Sequence, residues 1–153
     1  MFMQDFTRTS SPFFPVETLL LPVTTGLVAG TLVETATGWQ PVERLSVGDA
    51  VHTLDGGLAR ILGLDRRSLP PDQAAALLVP GGSFDACSDL MVLQGQHILL
   101  DTLDDADLGA AAFALVPAAA FLGAGARRVH LTAPVEVVTP LFADEEILYA
   151  NSG

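Results

Sequence analysis

Apolar and polar residues fall into short runs along this chain, separated by glycine, proline and aspartate signals about every 8–12 residues, a pattern that predicts a mainly β protein. The most regular stretch spans residues 26–57. Within it, Leu32 to Thr35 puts Leu32 and Glu34 on one face of a strand and Val33 and Thr35 on the other. Gly38 is placed to supply the positive φ of a tight turn. Trp39 to Leu45 resumes an extended path. Pro41 removes a ladder donor there and predicts an edge strand or irregular structure. Trp39 is expected to cover the sheet edge and anchor this opening unit. Val47-Gly48-Asp49 predicts a second turn. Ala50 to Leu54 predicts a strand with Val51 and Thr53 on one face, and Asp55-Gly56-Gly57 a hairpin-type turn.

Further on, Leu58 to Asp65 reads as another strand, paired across that turn. Ser68 to Asp72 reads as a loop, and Pro71 suits the first turn of a short helix through Gln73 to Ala76. Leu77 to Val79 is a short apolar strand ended by Pro80-Gly81-Gly82. Leu90 to Leu93 and His97 to Leu100 are strands separated by a turn at Gln94-Gly95-Gln96. The alanine-rich run from Phe113 to Leu122 suits a strand before Pro117 or a helix after it. Gly123 to Gly125 is a turn, and Val129 to Leu131, Val135 to Phe142 and Glu146 to Ala150 are late strands. No internal repeat is visible. Residues 1–25 read as an N-terminal extension, because Pro12, Pro15 and Pro22 break any helix there. The extension is either an arm docked through Phe13, Phe14 and Leu19 to Leu21 or disordered. Residues 26–153 then form one domain.

Three glycine-anchored segments recur in a characteristic order: Gly30-Thr31 to Thr35, Gly38-Trp39 through Pro41-Val42-Glu43 to Leu45, and Gly48-Asp49 to Gly57. Together they resemble the opening of a Hint domain, the Hedgehog/intein self-processing fold, in the branch common in alphaproteobacterial proteins. The resemblance continues at Asp89 to His97, Phe113 to Ala118 and Glu136-Val137-Val138, so it covers about Thr25 to the C-terminus. It implies a curled, horseshoe-shaped, nearly all-β single domain.

Composition narrows the function classes. A chain of 153 residues can bury about 68–70% of its unfolded surface, so it needs no disulfide or metal staple. A mean hydropathy of +0.45 argues against disorder. With 7 basic against 18 acidic residues the net charge is −11. Such a surface repels phosphate backbones and anionic lipid, so neither nucleic acid nor a membrane is an expected partner. Every basic side chain is Arg, which excludes a lysine nucleophile. The single cysteine, Cys87, excludes an internal disulfide and reads as a quiet small residue, with a reactive thiol as the alternative. The start lacks the positive region of a signal peptide and no run reaches the length of a membrane helix, so a cytoplasmic setting is expected, with signal-less export left open.

The resemblance also implies a chemistry. In Hint domains a Cys or Ser at the first position attacks the preceding carbonyl and converts an amide to a (thio)ester. A Thr-x-x-His or Ser-x-x-His assists: the His protonates the departing nitrogen and the hydroxyl orients the carbonyl. A second His near the C-terminal end assists in the Hedgehog-like branch. Carried onto this chain, the nucleophile position falls on Gly26, which has no side chain, and the helper hydroxyl on Gln94. The assisting His is matched by His97, and the later His falls near Val135, beside Glu136. Thr25 is one residue from the nucleophile position, a shift of more than roughly 3 Å, and misplacement by about 1 Å can cost about a hundredfold.

His97 therefore reads as a packing or surface residue more readily than as an acid, and His52 and His130 as structural. A zinc site would need long-range assembly, and the acidic run Asp101, Asp104, Asp105 and Asp107 lacks the glycine and closing glutamate of a calcium loop, so no metal is expected. No glycine-rich nucleotide loop is present, and no cofactor is expected. The expected function is a Hint-type domain that has lost autoproteolysis and acts as a binding or structural module for an unknown protein partner. The alternative is an active self-processing domain using Thr25 with His97. An unrelated β protein is the third reading. Oligomeric state is not legible.

Overall fold

A computed structural model describes residues 2–3, 25–55, 57–82, 88–101 and 113–152. Gly56, Cys87, Asp104, Asp105, Asp107 and most of the N-terminal extension lie outside these. The described residues form short strands and two 3-10 turns. In chain order the strands are β1 (Phe2–Met3), β2 (Leu27–Val28), β3 (Thr31–Thr35), β4 (Gly38–Pro41), β5 (Ala50–Thr53), β6 (Gly57–Arg60), β7 (Gly63–Leu69) and β8 (Ala76–Val79). Then follow β9 (Leu90–Leu93), β10 (His97–Asp101), β11 (Phe113–Pro117), β12 (Arg127–Arg128), β13 (Val135–Leu141), β14 (Ile147–Leu148) and β15 (Ala150–Ser152). The 3-10 turns span Val42–Arg44 and Ala118–Phe121. No described helix is long and apolar enough to cross a membrane.

The strands build three antiparallel sheets. The largest runs β11-β10-β1-β14-β5-β3-β15, with β4 added on β3 and β6 on β5. The others run β12-β8-β9 and β2-β13-β7. The mainly β, single-domain architecture is the one the turn spacing predicts. In β3, Thr31, Val33 and Thr35 are buried while Leu32 and Glu34 are half-buried, and in β5 Val51 and Thr53 are buried. Gly38 takes positive φ as the first residue of β4, directly after the two-residue turn, and Gly48 does so in the turn before β5. Full burial of side chains such as Val33 and Val51 contributes about 1.5–3 kcal/mol each.

The opening unit is closed by polar groups as well. Arg66 of β7 forks onto the carbonyls of Glu43 and Leu45, each at 2.8 Å, and the Glu43 carboxylate accepts from the Gly30 N–H at 2.9 Å. The main core gathers Val33, Val51, Ile61, Leu77, Val138 and their neighbours. A second cluster holds Val28, Leu69, Leu93 and Val137. The β2–β13 pair separates the two: Leu27 and Val138 belong to the first, Val28 and Val137 to the second.

Several sequence expectations are corrected. Leu58 to Asp65 is not one strand. The chain leaves β6 at Ile61, whose N–H bonds the Asp49 carbonyl, and Leu62 bonds the Leu141 carbonyl, so β7 starts in a different sheet. Gly63, the first residue of β7, is the local signal at this corner, and it does not say which sheet the chain enters. Ser68 and Leu69 belong to β7 rather than a loop. Residues 73–76 form no helix: Gln73 ends a turn, Ala74 and Ala75 lead into β8, and Ala76 is its first residue, paired with Leu93. The late strand near Val129 lies instead at Arg127–Arg128. Trp39 is 48% exposed. It pairs with Glu34, on the outward face of β3, so it does not seal the core.

Candidate functional site

Gly26 immediately precedes β2, and β2 is held in the interior by β13 through the register Val28 opposite Val137 and Leu27 opposite Val138. Gly26 itself is buried and takes φ +116°, a conformation that side chains disfavour. A Cβ on it would press into Val137 Cγ1 and lie 2.9 Å from Thr139 Oγ1. The position is therefore closed to a side chain twice over, by backbone conformation and by neighbours.

The turn after β9 reaches Gly26 from the other side. It is fixed by backbone bonds: Gln96 N–H to the Leu93 carbonyl, and the N–H groups of Ala118 and Ala119 to the Gln96 and Gln94 carbonyls. These bonds place Gln96, only 2% exposed, with Oε1 accepting from the Gly26 N–H at 3.0 Å. Only the oxygen of that amide can accept, so the bond sets its orientation and turns Nε2 toward the His97 carbonyl at 3.5 Å. Gly26, Leu27, Gln96, Val138, Pro140, Phe142, Glu146 and Leu148 enclose a small cavity with room for about one water molecule. A substrate-sized ligand does not fit it.

The residues singled out in the sequence are distributed around this point. Thr25 is exposed next to Gly26. Gln94 is half-buried in the turn, and its backbone N–H bonds the Ala75 carbonyl. His97 opens β10, opposite Pro117 and Met3, and its Nδ1 is buried with no hydrogen-bond partner among the described residues. Val135 starts β13 opposite Leu69, and the β13 residues at Gly26 are Val137 and Thr139. Gln96 and Thr139 were not singled out by sequence. Gln96 is a polar residue in a glycine turn, and only the long-range contact gives it a role. Among the described residues no group of three or more His, Cys, Asp or Glu side chains is placed to hold a metal ion.

Chemically, the centre of the arrangement is the amide between Thr25 and Gly26. The Gly26 nitrogen keeps its proton in a hydrogen bond to an acceptor oxygen, and that oxygen has no proton to return to a departing amine.

A family model described as a Hint domain matches residues 25–152. Among solved structures, the chain is similar to a bacterial intein-like domain from Clostridium thermocellum, at 18% identity and a TM-score of 0.48, over 84% of this chain and 94% of that one. It is also similar to the AceL NrdHF class 3 split intein in a glutathione-linked, splice-inactive variant, at 11% identity and a TM-score of 0.40, over 82% of this chain and 98% of that one. No curated protein matches.

Proposed function

The chain belongs to the Hint-domain family, and on that premise we propose that it has lost autoproteolysis and serves as a binding or structural module for a protein partner. The observation that carries this reading is the state of Gly26. At the position where the family places its nucleophile there is no side chain, and Val137 and Thr139 occupy the space of one. An acyl shift needs an oxygen or sulfur within reach of the preceding carbonyl. Gln96 meanwhile stabilises the unreacted amide by accepting its N–H. Gln94 supplies no helper hydroxyl, and Val135 supplies no proton.

One observation favours a second reading. The Nδ1 of His97 is buried without a partner among the described residues, which leaves a nitrogen able to take or give a proton. Paired with the Thr25 hydroxyl, it would support an N–O acyl shift, with the Thr24 acyl group moving to the Thr25 oxygen and the Thr25 nitrogen gaining a proton. The two readings part in one experiment. The purified chain is incubated with a thiol and with hydroxylamine, and its intact mass is followed. An unchanged mass is expected. Loss of residues 1–24, abolished by Thr25→Ala, would establish the second reading and end the first.

A further inference from the structure

The largest sheet is joined through one of its two shortest members, β1; β14 beside it is equally short. β1 is two residues long, yet it lies antiparallel to strands on both sides: Phe2 is opposite Ile98 and Leu148, and Met3 is opposite His97 and Ile147. Among the described residues it is the link between β11-β10 and β14-β5-β3-β15. With β1 removed, β10 and β14 would present two sheet edges about 10 Å apart, the width that one strand fills. Unpaired edges of this kind are templates for another chain.

Among the described residues the slot is also longer than its occupant. β10 continues through Leu99, Leu100 and Asp101, and on the β1 side these have no strand partner among the described residues. Ile98 and Leu148 are 7% and 5% exposed, so the register position between them lies on the core side of the sheet and suits an apolar residue. His97 and Ile147 are half-buried, so the next position is more tolerant.

A second feature makes the occupant separable from the domain. Met3 is held opposite His97, and Gly26 is held by Gln96. Consecutive residues thus grip both ends of the intervening residues 4–25. Pairing at the first residues does not need the covalent path through Thr25.

We propose that the slot between β10 and β14 is a strand-acceptor site for an extended peptide carrying an apolar residue at the position between Ile98 and Leu148. Phe2-Met3 is its resident occupant, and the same segment supplied in trans competes for it. Main-chain hydrogen bonds to β10 and β14 give the affinity, and the core-side position gives the selectivity. The inference rests on the binding-module reading for the use of the slot. It holds whether or not the chain is cut near Thr25.

The test measures occupancy and not cleavage, so its failure is distinct from a failure of that reading. Full-length protein carrying Phe2→Pro and Met3→Pro has its own strand disabled, because proline brings no N–H to the ladder. A fluorescent peptide of residues 1–6 is titrated into this variant and into the unaltered chain, with anisotropy as the readout. The variant is expected to bind about tenfold or more tightly, because the tethered occupant competes at an effective concentration of about millimolar in the unaltered chain. A peptide with Phe2→Asp is expected not to bind. Absence of binding to the variant, or equal binding of both proteins or both peptides, overturns the proposal.

If circular dichroism shows the variant unfolded, a second measurement decides. A site-specific protease sequence is inserted after Ser11 in the otherwise unaltered full chain, which is cut and analysed by native mass spectrometry. Retention of the N-terminal fragment supports the slot, and its departure overturns it.

Discussion

Gln96 Oε1 accepts a hydrogen bond from the Gly26 N–H at 3.0 Å, joining two residues 70 positions apart at a buried point between the β9–β10 turn and the start of β2. The contact matters because a buried backbone N–H must be satisfied. Leu27, one residue on, belongs to the main core, so Gly26 cannot move outward to find water without disturbing β2. The bond ties the turn that carries His97 to the strand that the domain's interior is built around.

Gln96→Leu should therefore cost about 1–3 kcal/mol, the penalty of leaving a buried donor unpaired. Urea denaturation of the full chain measures it. Stability equal to the unaltered protein would show that the Gly26 N–H finds another partner.

Gly26→Ala should be destabilising for two separable reasons. The left-handed conformation costs about 1–2 kcal/mol for an L-residue, and overpacking against Val137 and Thr139 adds about 1–3 kcal/mol. Val137→Ala in the same chain should recover part of the second cost and none of the first. Strict additivity of the two substitutions would contradict the steric account.

The same geometry bears on any attempt to restore self-processing. Gly26→Cys with Gln94→Thr replaces the two missing family groups but inserts a side chain where Val137 already sits. The double variant should be less stable than the parent and should give no hydroxylamine-induced cleavage before residue 26. Cleavage there, seen by mass, would mean that β2 and β13 can separate enough to admit the thiol.

Trp39 contributes little to stability. Its ring lies on the outward side of β3 and is about half exposed, so Trp39→Ala should change stability by about 0.5 kcal/mol or less. The protein has one tryptophan, so its emission maximum reads this position directly. A strongly blue-shifted maximum would put the ring back in the interior.

Arg66 offers a contrast between two kinds of interaction. Its guanidinium forks onto the Glu43 and Leu45 carbonyls at 2.8 Å each, while its ion pair with Glu136 is longer, 3.5 Å, and both side chains are substantially exposed. Arg66→Lys should cost about 1–2 kcal/mol, because one ammonium cannot reproduce the fork. Glu136→Gln should be within about 0.5 kcal/mol of neutral, because solvent screens the exposed pair. Thermal denaturation of both variants ranks the two effects.

The local pattern of the chain determined most of the strands and turns of residues 31–53, though not β2 before them. Val33 shares a face with Thr35, and Val51 with Thr53, as alternation assigns, because side-chain direction in a strand has period two; that these are the buried faces came from the structure. Gly38 and Gly48 take the positive φ that glycine allows, at the start of β4 and in the turn before β5. The glycine-anchored order in that stretch pointed to the family and marked Gly26, and the later match at Asp89 to His97 marked Gln94 and His97. Partners in space were a different matter. That β6 and β7 enter different sheets, that Ala76 pairs with Leu93, and that Phe2-Met3 joins β10 to β14 are pairings between distant segments, and an apolar run does not encode which edge it will meet. Nor could the sequence show that Gln96 holds the Gly26 amide, or that Val137 and Thr139 fill the place of the missing side chain. Those facts arise where β2, β13 and the β9–β10 turn converge, and only packing brings those three segments to one point.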